Sequence, residues 1–230
     1  MNFLFKTILF CAYLNVTLLQ AQTLNFNFDY LLVYEQKNEH SREVYTYVDS
    51  EKPEAVMRLS SDEEGGAFAE ISYENFTHHF HIKKLGSSLS KEQFRYFGSD
   101  DGSKYASKVK DWPSYDFTLI KESDGEAICD VTVKWQTKQM SHLNKKCTVT
   151  LEDFDSNLSA VGISLLTDAA IKDWSSQLKN SQTYIFKNGE CKQKNTISKV
   201  QLKSVFKRNL AISISPKEFK TTLSYYKDLY

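Results

Sequence analysis

Residues 128–137 read ICDVTVKWQT and residues 146–153 read KCTVTLED, and these two stretches decide the fold class. In the first, Cys129, Val131, Val133 and Trp135 alternate with Asp130, Thr132, Lys134 and Gln136; in the second, Cys147, Val149 and Leu151 alternate with Lys146, Thr148, Thr150 and Glu152. A period of two marks a strand that buries one face only. One-sided strands joined by short polar loops belong to antiparallel sheets, because parallel sheets bury both faces and need long helical crossovers. The two stretches therefore predict an antiparallel hairpin.

Outward from that hairpin, β-branched and aromatic residues recur in short runs bounded by polar ones, as a pleated, half-buried surface favours. On the N-terminal side these runs predict strands at Tyr30–Gln36, Glu43–Val48, Ala55–Ser60, Ala67–Tyr73, Phe76–Lys84, Phe94–Phe97 and Tyr115–Lys121. On the C-terminal side they predict strands at Ala160–Leu166, Thr183–Lys187, Gln193–Lys207 and Asn209–Ser215. Asn188-Gly189 between two such runs is a hairpin signal, the glycine supplying positive φ.

Two segments break the rhythm. Ile171, Trp174 and Leu178 fall at helical spacing behind a cap at Thr167, with Asn180 where a helix would stop. Ser215-Pro216-Lys217-Glu218 is a capping box with proline at the first helical position, followed by Phe219, Leu223 and Tyr226 on one stripe. The expected fold is mainly β (α+β): a strongly bent antiparallel sheet or open barrel with two short helices, at about 167–179 and 216–229. Strands such as Tyr30–Tyr34 are apolar on both faces, and two helices cannot cover both sides of a flat sheet, so a bent sheet wrapped round its own interior, a partner protein or a bound lipid must bury the second face, and the sheet and helices are expected to enclose a cavity lined mainly by Phe, Tyr, Leu, Ile and Val.

The first residues place Lys6 ahead of an apolar run from Thr7 to Leu19, with Ala21 closing it. That layout is a secretory signal peptide, and the run is too short for a span of about 20 residues. Residues 1–21 are thus expected to be a signal and 22–230 a single domain, with no linker composition or repeat dividing it. The expected location is periplasmic or secreted, with no transmembrane segment after signal cleavage.

The chain has 29 basic and 29 acidic residues, which gives no electrostatic reason to expect nucleic acid. The basic stretch Lys187–Arg208 is expected to be a solvated strand face. An exported chain keeps disulfides, and Cys129 and Cys147 lie on the apolar faces of consecutive hairpin strands. They are the expected pair, with Cys191 left free.

His78-His79-Phe80-His81 puts His79 and His81 on one strand face. A metal needs three or four ligands, and His40 and His142 have nothing in sequence to bring them near, so solvent-facing imidazoles are the expectation. Asp153, Asp155 and Asn157 start like a calcium loop, but Leu158 and Ser164 occupy its glycine and bidentate-glutamate positions. No nucleophile elbow, zinc-protease helix, P-loop or dinucleotide fingerprint occurs, and no cofactor or catalytic residue is assigned.

As a run of short antiparallel strands behind a signal, with two late helices, the chain resembles the uncharacterised β-rich secreted proteins of Gram-negative bacteria. Some of those have the open-barrel fold of the lipoprotein-carrier (LolA-like) group. That resemblance implies a non-enzymatic carrier of an apolar small molecule or lipid in the cell envelope. The alternative is an envelope protein acting by protein–protein binding, and a second alternative is an enzyme with scattered active-site residues.

Overall fold

The computed structural model describes residues 23–37, 41–61, 67–74, 76–82, 89, 93–101, 113–167, 183–194 and 196–215. Its strands are β1 (Leu24–Lys37), β2 (Ser41–Asp49), β3 (Lys52–Ser61), β4 (Ala67–Tyr73), β5 (Phe76–Ile82) and β6 (Phe94–Asp101), then β7 (Ser114–Ser123), β8 (Glu126–Lys134), β9 (Lys145–Asp153), β10 (Tyr184–Gln193) and β11 (Thr196–Ile214). Among the described residues one α-helix, α1 (Ser159–Thr167), lies between β9 and β10, and a 3-10 turn (Ser141–Leu143) lies between β8 and β9. The strands make a single sheet in the order β6-β5-β4-β3-β2-β1-β11-β10-β9-β8-β7, and it does not close. The chain meanders outward from β1 to one edge, restarts at the other edge with β7, and meanders back to β11. There the two longest strands, of 14 and 19 residues, pair antiparallel.

The mainly β, antiparallel expectation holds, and β8 and β9 form the hairpin their alternation predicts. The turn chemistry is different. Asp124 and Gly125, at φ 52° and 78°, make the two-residue turn between β7 and β8, a conformation only such residues take readily. Asn188-Gly189 is not a turn; it lies inside β10, in register with Gln201 and Val200 of β11. β10 runs on instead to Gln193, and the following Lys194 has φ 49°.

Both faces of β1 are buried from Tyr30 to Tyr34. Tyr30, Leu32 and Tyr34 of β1 join Val131, Val149, Val200 and α1 in one core, whereas Leu31 and Val33 join Met57, Ile71, Phe80 and Ile212 in the other. The second core exists because the sheet folds back on itself. Phe26 of β1 packs 5.5 Å from the Tyr73 ring of β4 and 6.3 Å from His78 of β5. In a flat sheet the fourth strand away would stand about 19 Å off. Curling removes the second apolar face from water without a second layer of helices.

The first core is roofed by α1. All nine of its residues are buried, so it is apolar all round rather than on one stripe. Ala160–Leu166 was expected as a strand, and a short continuous apolar run does not distinguish the two states. The helix sits close because glycine meets it from both sides: a Cβ on Gly162 would lie 2.2 Å from Cγ of Phe186, and one on Gly189 2.7 Å from Cδ2 of Leu166. Gly189 is there for this approach, not for φ. Carbonyls left open at the helix end are met by Gln36, whose Nε2 donates to Leu165 O at 3.3 Å, and by Lys145, whose Nζ donates to Thr167 O at 3.4 Å.

The cysteine expectation is corrected. Cys147 is bonded to Cys191, its direct cross-strand partner, with Cα atoms 4.0 Å apart, and Cys129 is a buried free thiol. All three face the same core, but Cys129 stands opposite Val149. Its distance to Cys147 is therefore a diagonal of about 7–8 Å, beyond disulfide reach.

Thr167, expected as the cap at the start of a helix, is instead the last residue of α1, its Oγ1 donating to Ile163 O at 2.8 Å; residues 168–179, 216–229 and the signal at 1–21 lie outside the described residues. Among those residues no helix is long and apolar enough to cross a membrane.

Candidate functional site

On the face opposite α1, the period-two alternation that drives Val131, Cys147 and Val200 inward turns their neighbours outward. They line a half-open hollow of about 780 Å³ across β8, β9, β10, β11 and β1. Register arranges the lining in rows. Glu35, Gln201, Asn188 and Thr150 form one; Lys37, Lys199, Glu190, Thr148 and Asp130 form the next; Lys192, Lys146 and Thr132 form the third.

Its charges are organised by two carboxylates. Glu35 is bridged by Lys203 at 2.6 Å and Lys37 at 3.2 Å, and Ser41 donates to it at 2.9 Å; these donors hold its carboxyl down to about 2. Glu190 is bridged by Lys199 at 2.8 Å and Lys192 at 3.7 Å, and the Lys199 bond lowers its pKa. Asp130 accepts from Thr148 Oγ1 at 2.9 Å. Lys192, Lys199 and Lys203 of the basic stretch are exposed, as expected of a solvated strand face, and Lys192 and Lys199 line this trough.

The histidine cluster sits elsewhere, on β5, and its residues part company. His79 is not solvent-facing: Nδ1 lies 3.2 Å from Glu70 of β4 and Nε2 3.0 Å from Asp100 of β6. The Glu70 bond raises the His79 pKa, with Asp100 adding to it, and lowers that of Glu70. His81 lies over Phe97, with ring centroids 4.3 Å apart. Both imidazole nitrogens of His79 are engaged by carboxylates, and no group of three or more His, Cys, Asp or Glu that could hold a metal occurs among the described residues. Of the calcium-like triplet, Asp155 accepts from Tyr30 Oη at 2.8 Å and Asn157 from Ser159 Oγ at 2.8 Å. These are structural roles.

His78 points the other way, into the curled core, and burial pushes its pKa down to about 4. The unfolded chain takes up this proton near pH 6.5 and the fold resists it. Stability from the neutral ring is therefore full above about pH 6.5 and falls as pH drops towards 4, by up to about 3 kcal/mol. His79 has the opposite sign: its contribution is complete below pH 6.5 and fades as pH rises through its raised value. Urea titrations across pH should show His78→Phe removing most of the loss between pH 6.5 and 4; an acid limb unchanged in the variant would refute this assignment.

Sequence reasoning missed the trough because it is a property of register across five strands. The alternation did indicate which side chains face outward, but not that these rows would enclose a hollow. Compared with known proteins, the chain matches no family model and no curated protein.

Proposed function

We propose that this chain is an exported, non-enzymatic protein of the cell envelope that works by binding another protein in the trough. The observation that carries this reading is the trough itself: open, lined by polar and charged side chains from five strands, and held in place by a rigid sheet. Proteins recognise one another at such surfaces through complementary charge and hydrogen bonding. The carrier reading, with an apolar ligand or lipid inside an open barrel of the lipoprotein-carrier type, draws on the curled half of the sheet. There, however, Phe26, Phe28, Leu31, Met57 and Ile71 occupy the interior and are almost wholly buried, which favours a packed core.

Native mass spectrometry of the protein purified from its own host separates the two. A bound polypeptide released by high salt is the expected result. A lipid of stoichiometric mass, retained in salt and lost on organic extraction, would overturn the protein-binding reading and restore the carrier.

A further inference from the structure

We propose that the trough binds an acidic peptide segment in extended conformation, an inference that rests on reading the trough as a protein-binding surface. Two like-charged pairs carry it. Lys37 of β1 stands directly opposite Lys199 of β11, and Lys146 of β9 directly opposite Lys192 of β10. Like charges in direct cross-strand register repel and weaken a sheet. Glu35 and Glu190 offset the repulsion only in part, since each is shared between two lysines. Lys146 has no carboxylate within ion-pair distance among the described residues. Five lysines, counting Lys203 at the rim, thus stand against Glu35, Glu190 and Asp130, in a chain whose formal net charge is zero. A cationic surface concentrated in a concave site attracts anions.

Geometry selects the kind of anion. The midpoints of the two lysine pairs are two strand spacings apart across the sheet and two residues apart along it, which is about 12 Å. Residues i and i+4 of an extended chain stand about 13 Å apart on one side. Carboxylates at those positions would each meet one lysine pair. Among the described residues no aromatic ring lines the trough to stack against a sugar face.

Fluorescence anisotropy with a fluorescein-labelled deca-glutamate peptide tests this, with labelled deca-lysine and a labelled oligogalacturonate as separate control probes. Binding should weaken about tenfold or more between low and moderate salt, as screening shortens the reach of the charges. Lys146→Glu should weaken it at least about tenfold while its urea midpoint stays level or rises, because the substitution turns a repulsive pair with Lys192 into an attractive one. No binding of deca-glutamate, or affinity unchanged in the variant, would overturn the proposal, and so would tighter binding of the oligogalacturonate or of deca-lysine than of deca-glutamate. If deca-glutamate fails yet a co-purified polypeptide still binds the wild type and not Lys146→Glu, the acidic class falls and the protein-binding reading stands.

Discussion

Replacing Cys191 with serine is expected to lower the folding free energy by about 4 kcal/mol, the chain-entropy value for a bridge spanning 44 residues. The bridge ties β9 to β10 across the whole excursion that contains α1, so its loss also loosens the helix. Cys129→Ser should cost far less, since Cys129 closes no loop. Urea titrations of the two variants measure the difference directly. Thiol counting gives an independent check: unfolded, unreduced protein lacking residues 1–21 should show one reactive thiol, and digestion should join the Cys147 peptide to the Cys191 peptide. Recovery of a Cys129–Cys147 peptide would contradict the observed register, and equal losses in the two serine variants would contradict the loop-closure account.

Gly162→Ala should destabilise by about 3 kcal/mol, although alanine is the better helix former by about 1 kcal/mol. The added methyl would sit 2.2 Å from Phe186 Cγ and 2.6 Å from its Cβ, so the ring cannot rotate clear and the helix must lift from β10. Lifting it exposes Leu158, Val161 and Ile163, which are wholly buried in the native packing. Phe186→Ala alone should cost about 3–5 kcal/mol through the cavity it leaves. In the double variant the two losses should be strongly less than additive, because the missing ring is what the methyl strikes. Additive losses, or a Gly162→Ala protein as stable as wild type, would show that α1 does not depend on this contact.

The sequence by itself determined what local periodicity can encode. Alternation along Cys129–Gln136 and Lys146–Glu152 was sufficient for strands, their inward faces and their antiparallel pairing, because side-chain direction in a strand follows from position alone. It was also sufficient to name Asp130, Lys146 and Thr148 as outward-facing. Four features were decided only by tertiary structure. Gly189 reads as a turn residue until α1 is laid against it; Ala160–Leu166 reads as a strand until burial on every side makes it a helix. Cys147 has two same-face candidates, and only the alignment of β9 with β10 brings Cys191, not Cys129, within bonding distance. The trough depends on β1 pairing with β11 across nearly the whole length of the chain, which sets Lys37 opposite Lys199. Such register is fixed by the burial of both cores together, a sum over distant residues that no local window contains.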